Sequence, residues 1–144
     1  MAADFGLGIE VEAVPTVRAA DGLALSSRNK YLSEQERAIA PVLYRALSAG
    51  AAAAAGGPAA VLAAARTVLA DGGAQGAGLA GAAPGGSAPR LDYLALADAR
   101  SYESVRDDDF DGPAVLAVAA RIGSTRLIDN VVIEFGTEQH AAGD

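Results

Sequence analysis

The sequence predicts an α+β fold: a helical hairpin packed with a small three-stranded antiparallel sheet. Apolar residues recur at helical spacing from about residue 33 to residue 69, and beyond a Gly-rich stretch they recur in three strand-like runs. Helical signals grouped ahead of strand signals, rather than alternating with them, separate α+β from α/β. The 144 residues suffice for one domain with one substantial core.

Ile9, Val11 and Ala13 alternate with Glu10, Glu12 and Val14 before Pro15 interrupts, which reads as a short strand. Asp21-Gly22 lies between Thr16-Val17-Arg18 and Leu23-Ala24-Leu25. This pair marks a hairpin or tight turn, because both central positions can take positive φ. Ser26-Ser27-Arg28-Asn29-Lys30 therefore begins just after a turn.

Ser33-Glu34-Gln35-Glu36 is a capping box that starts a helix with the apolar stripe Ile39, Val42, Leu43, Ala46, Leu47. Pro41 removes a ladder amide, so either this helix kinks or its first turns form a separate short helix. After the Ala51 to Ala55 run, Gly57-Pro58 starts a second helix. Its stripe is Val61, Leu62, Ala65, Val68 and Leu69, ending near Asp71-Gly72, and the two helices are expected to pack as a hairpin.

Residues 71–90 carry seven glycines with Pro84 and Pro89 and almost no large side chain. Burial there cannot repay the entropy of ordering, so a flexible Gly/Ala loop is expected. Leu91 to Leu96 reads as a strand. Ala114 to Ile122 and Thr125 to Ile133 read as two more, joined by Gly123-Ser124, which suits a two-residue II′ turn. From Glu134 the chain reads as a polar, frayed tail.

Eleven Lys and Arg against eighteen Asp and Glu give a net charge of −7. No broad cationic field attracts nucleic acid or an anionic membrane, so any phosphate contact must be local. The absence of cysteine removes disulfides, thiolate nucleophiles and zinc–thiolate sites, and fits a reducing compartment. Met1 to Gly6 lacks the pattern of a secretory signal, and the Ala49 to Ala65 region, the nearest approach to a membrane span, is too rich in small residues. A cytoplasmic protein is expected.

The single histidine, His140, has no serine or carboxylate pattern around it and reads as a solvated tail residue. Asp107-Asp108-Asp109-Phe110-Asp111-Gly112 matches the first half of a calcium loop, but the twelfth position falls on Val118 instead of a bidentate glutamate. The stretch reads as a solvated acidic turn, with no metal site expected. Ser26-Ser27-Arg28-Asn29 offers two hydroxyls, consecutive amides and a guanidinium that could hold a polyphosphate. Taken alone, the same residues also make an ordinary turn before a helix.

The stretch Val14-Pro15-Thr16-Val17-Arg18, continuing through Asp21-Gly22-Leu23-Ala24-Leu25-Ser26-Ser27-Arg28-Asn29-Lys30-Tyr31-Leu32, closely resembles the pantothenate synthetase (pantoate–β-alanine ligase) family. Ile39-Ala40-Pro41 with Leu43-Tyr44, the Asp92-Tyr93-Leu94 strand, and Val118 to Gly123 running into Arg126-Leu127-Ile128-Asp129-Asn130 extend the resemblance over most of the chain.

The resemblance covers only the C-terminal part of that family. It implies a lid domain over 15–135, with 1–14 a remnant of a Rossmann-like nucleotide-binding domain and 136–144 a tail. The strand at 9–14 is then expected to pair with another copy in a homodimer, to pair elsewhere, or to be disordered.

The family implies an ATP-dependent ligase that condenses pantoate with β-alanine through a pantoyl-adenylate, with Mg2+ carried by the nucleotide. Its Met-Ser-Ser-Arg segment falls on Leu25, Ser26, Ser27 and Arg28. Arg28 would be the principal phosphate partner, Ser26 and Ser27 hydrogen-bond donors, and Leu25 would pack at the loop's start. Val17 matches a nucleotide-contacting position. Arg126, Asp129 and Asn130 match a family signature whose structural reading stands ahead of a catalytic one. The family's HIGH-like histidines have no counterpart here, so no catalytic residue is assigned and the chain is expected to need an N-terminal domain as partner. The alternative reading is a non-catalytic dimerisation or interaction fragment.

Overall fold

A computed structural model describes residues 15–76 and 88–136. The expected strand at 9–14, most of the Gly/Ala loop, His140 and the tail from residue 137 lie outside the described residues.

The chain first makes a narrow ribbon, in which Arg18 bridges Ala24 and the Gly22 amide donates to the Ala19 carbonyl at 2.9 Å. The expected turn forms at Asp21-Gly22. Only Gly22 takes a positive φ (+89°), while the Asp21 carboxylate accepts from the Leu23 amide at 3.2 Å and so caps the turn. A Cβ on Gly22 would lie 2.1 Å from Tyr44 Cδ1, so the turn presses directly against that ring. A 3-10 helix, Ser27–Tyr31, follows.

Helix α1 (Glu34–Ile39) begins at the expected capping box. The Ser33 hydroxyl accepts from the Glu36 amide at 3.2 Å, and the Glu36 carboxylate accepts from the Ser33 amide at 2.8 Å. Pro41 is the N-cap of a separate helix α2 (Val42–Ala52), which settles the open question in favour of two helices. A 3-10 turn and Gly57, at φ +83°, reverse the chain into α3 (Gly57–Gly76).

Helix α3 runs past the expected stop, so 71–76 belong to it rather than to the loop. Gly72 is a packing position instead of a terminator: a Cβ there would lie 2.1 Å from Val42 Cγ2, and its absence lets α3 close on α2.

Strands β1 (Arg90–Asp98), β2 (Gly112–Ile122) and β3 (Thr125–Phe135) form an antiparallel sheet in the order β1-β2-β3. Glu134 and Phe135, read as tail, are strand residues. Phe135 is buried and meets Phe110 edge to face at 5.7 Å, and that contact holds the end of the strand. Ile122 pairs with Thr125 across Gly123-Ser124, where only Gly123 has positive φ (+58°), as a II′ turn requires.

One sheet face, carrying Leu96, Leu116, Val118, Ile122, Leu127 and Ile133, packs on Leu43 and Leu47 of α2 and Val61 and Ala65 of α3. Among the described residues no helix covers the opposite face, and Tyr93, Ile128 and Val132 on it are exposed. Val118, the twelfth position of the half-matched calcium loop, is fully buried in mid-strand and belongs to the core. No single helix among the described residues is long and apolar enough to cross a membrane.

Candidate phosphate cleft

The ribbon delivers Ser26, Ser27 and Arg28 to one end of the sheet. Val17 and Leu25 stand next to each other across the ribbon, with the Leu25 amide donating to the Val17 carbonyl at 2.9 Å. Their side chains point outward and are 66% and 61% exposed. Leu25 thus departs from the expectation that it packs at the loop's start, because its backbone pairing turns the side chain to solvent beside Val17.

Ser26 caps the 3-10 helix, its hydroxyl accepting from the Arg28 amide at 3.2 Å. This helix is too short to hold itself. Asn29 ties it back by donating from Nδ2 to the Ala24 carbonyl at 3.0 Å, which leaves Asn29 Oδ1 buried without a hydrogen-bond partner among the described residues.

Ser26, Arg28 and Asn29 form one wall of a small cleft of about 30 Å³, room for a water or two. Arg126, Leu127, Ile128 and Asp129 form the other wall, with Leu23, Ala24 and Leu43 beneath. Among the described residues Arg28 enters no ion pair. Ser27, the remaining polar residue of the expected motif, is exposed at the start of the 3-10 helix and does not line this cleft.

The two walls are joined by an ion pair 111 residues apart in sequence. Arg18 Nη1 donates to Asp129 Oδ2 at 2.5 Å and Arg18 Nη2 to Asp129 Oδ1 at 3.0 Å, a bidentate fork. The two side chains are 18% and 6% exposed. Arg18 also donates to the Gly22 carbonyl at 3.1 Å and stacks over the Tyr44 ring, 4.2 Å from its centroid. The hydrogen bond to Asp129 raises the Arg18 pKa above its ordinary value, with burial working against it.

Asp129 therefore acts structurally, fixing the ribbon that carries the serine–arginine loop against β3. Asn130 contributes its backbone amide to Asp129 Oδ1 at 2.8 Å. Arg18 and Tyr44 carry this arrangement, yet sequence reading gave them no role, while Asn29, read as part of the candidate phosphate run, ties the loop back to Ala24. No local pattern could pair residues so far apart, although Arg18 and Tyr44 both lie within matched segments.

Asp92 has a comparable place on β1. Leu91 pairs with Ala120 and Tyr93 with Ala119, so Asp92 is the extra residue of a bulge. Its carboxylate accepts from Arg126 Nε at 2.7 Å and lies 3.9 Å from Arg121 Nε. The Arg126 hydrogen bond, followed by the charges of Arg121, Arg126 and Arg90, holds the Asp92 carboxyl below the usual carboxylate range.

The family model for pantoate–β-alanine ligase matches residues 1–132. The chain is 54% identical over 131 residues to pantothenate synthetase of Thermobifida fusca (strain YX), covering 91% of this chain and 40% of that protein. It is 50% identical over 132 residues to pantothenate synthetase of Rhizorhabdus wittichii, covering 92% and 42%. A crystal structure of pantothenate synthetase from Thermus thermophilus superposes with a TM-score of 0.73 at 40% identity, over 90% of this chain and 42% of that one. The chain thus spans about two-fifths of the length of the curated relatives it matches. By family model, sequence and fold together, the chain belongs to the pantoate–β-alanine ligase family.

Proposed function

We propose that residues 15–135 are the lid domain of an ATP-dependent ligase that joins pantoate to β-alanine through a pantoyl-adenylate, contributing the loop that grips the nucleotide's phosphates. The observation that carries this reading is the presentation of Ser26 and Arg28 at the mouth of a cleft, on a ribbon locked to β3 by Arg18 and Asp129.

Adenylation moves charge onto the departing pyrophosphate. Arg28 supplies a guanidinium matched to phosphate oxygens, and Ser26 and Ser27 supply hydroxyl or amide donors. Removing one such fixed donor costs roughly 3 to 4 kcal/mol of barrier. The exposed pair Val17 and Leu25 offers an apolar face beside the phosphate loop for the rest of the nucleotide, Val17 meeting it through its backbone. This donor set of guanidinium and hydroxyl groups suits phosphate oxygens, so Mg2+ arrives as part of the nucleotide.

The groups that hold pantoate and β-alanine belong, on this reading, to an N-terminal Rossmann-like domain acting as partner, and residues 1–14 are its last portion. The chain by itself is catalytically incomplete. A cytoplasmic location is part of this reading.

The test is a coupled pyrophosphate-release assay with ATP and pantoate, on the chain alone and mixed with a separately expressed N-terminal domain of a family member. Activity in the mixture only, abolished by Arg28→Ala, supports the lid reading. Turnover by the chain alone contradicts it, as does a mixture indifferent to Arg28.

A second reading, a homodimerising interaction fragment, draws on the sheet face that no described helix covers. Tyr93, Ala119 and Ile128 form one row across the strands there, and exposed Val132 lies on the same face further along β3. Light scattering that gives a concentration-independent monomer removes it.

A further inference from the structure

We propose that the second half of β3 is a pairing edge whose occupant is the same strand of a second copy of this chain. Two three-stranded sheets then join into one continuous sheet across a two-fold axis at Val132. The inference is independent of the ligase reading, and it differs from the sheet-face contact above because the main chain of β3 makes it.

In the order β1-β2-β3 both outer strands are edges, but the chain closes only one of them among the described residues. On β1 the Asp98 amide donates to the Glu103 carbonyl and the Val105 amide to the Leu96 carbonyl, each at 2.9 Å. The bulge at Asp92 breaks the rest of that edge. Strand β3 has neither bulge nor proline over its 11 residues.

The backbone groups on the open edge follow from the register. Leu96 turns its carbonyl away from β2, so Leu116 opposite it bonds toward β3, where its partner is Val131. Asn130, Val132 and Glu134 therefore turn their amides and carbonyls outward. The Asn130 amide does so visibly, donating to Asp129 Oδ1 at 2.8 Å. Among the described residues nothing accepts from the Val132 and Glu134 amides, and the Val132 side chain is exposed.

This edge is complementary to itself. Antiparallel pairing about Val132 sets the two valines opposite each other, exchanging amide-to-carbonyl bonds, and sets each Asn130 opposite the other copy's Glu134. The Glu134 amide then reaches the Asn130 carbonyl, and the Asn130 carboxamide donates to the Glu134 carboxylate on the outer face. The two Glu134 carboxylates stand about 13 Å apart along the strands, beyond the Debye length of about 8 Å at physiological salt. Because the β1 edge is closed, the contact is isologous and stops at two copies. Asp111, beside Gly136, and the net charge of −7 on each copy oppose association, so added salt should strengthen it.

The test is sedimentation over a concentration series, with circular dichroism to check the fold. The unaltered chain should pass from monomer to dimer. Val132→Pro removes an amide that takes no part in the β2–β3 ladder, and should raise the dissociation constant at least tenfold with the fold intact. Val132→Lys places like charges at the axis and should do the same. Asn130→Asp opposes two carboxylates and should weaken the dimer about fivefold. Tyr93→Ser, on the far edge strand, should leave it unchanged.

A monomer at every concentration overturns both this pairing and the sheet-face contact, while sparing the lid reading. A dimer kept in Val132→Pro but lost in Tyr93→Ser overturns the edge in favour of the face. An Asn130→Asp dimer of unaltered strength overturns the register at Val132. Should Val132→Pro unfold, amide exchange at Val132 and Glu134 in the unaltered chain decides. Protection that grows with concentration supports the pairing. Full protection in the dilute monomer shows the edge occupied within one chain, and none in the dimer shows it bare; either overturns the proposal.

Discussion

Replacing Asp129 with alanine removes the carboxylate that joins the two walls of the cleft, and burial sets the size of the effect. The pair is a bidentate fork at 2.5 and 3.0 Å, with side chains 18% and 6% exposed. Breaking a fully buried pair by deleting one partner costs about 3–5 kcal/mol, mostly through the charge left behind. Arg18 retains some solvent, its bond to the Gly22 carbonyl at 3.1 Å and its stacking on Tyr44 at 4.2 Å, so the cost should fall to about 2–3 kcal/mol. For a domain of this size that corresponds to a fall in Tm of about 10 °C.

A second aspartate–arginine pair, Asp21 with Arg37, is equally short at 2.5 Å, but its side chains are 43% and 36% exposed. Asp21→Asn should therefore cost clearly less than Asp129→Ala, because solvent screens the exposed pair. The assay is urea unfolding followed by circular dichroism, with a double-mutant cycle using Arg18→Met to isolate the coupling. A loss below about 0.5 kcal/mol for Asp129→Ala, or a coupling energy near zero, would refute the claim that this pair holds the ribbon in place.

Three further outcomes are expected. Gly50→Ala should destabilise the domain by about 1–3 kcal/mol in the same assay, because its Cβ would stand 2.6 Å from Leu116 Cδ2 and 3.2 Å from the Val61 carbonyl, outweighing the roughly 1 kcal/mol gain in helix propensity. Ser33→Ala, which removes half of the capping box, should cost about 1 kcal/mol, and an unchanged urea midpoint would show α1 to be held by other contacts. Asp92, with its carboxyl held below the ordinary aspartate value by Arg126, should favour folding fully above about pH 4 and lose that contribution as pH falls through its lowered folded value. Carboxyl-carbon NMR checks the sign, since a midpoint at or above the ordinary value contradicts the hydrogen bond, and Arg126→Gln should move the midpoint upward.

Much of the fold was legible because its signals are local. The Ser33–Glu36 box, Pro41, the Gly57-Pro58 start and the Gly123-Ser124 turn each act within a few residues, where sequence and backbone geometry are directly coupled. The apolar runs that placed β2 and β3 on either side of that turn are equally local signals. The serine–arginine loop was legible for the same reason, as a contiguous run of donors following a turn.

The sequence by itself determined the element order and the family. Tertiary structure decided where glycine ends a helix and where it lets helices close, as at Gly72, since that depends on Val42 in the preceding helix. It turned Leu25 outward by pairing its amide with Val17, and it tied Arg126 of β3 to Asp92 of β1. It also chose Asp129 for Arg18 across 111 residues. Partners at such separation meet only after the chain has closed on itself, and the free energy that selects them comes from burial in the finished domain, which no local pattern encodes.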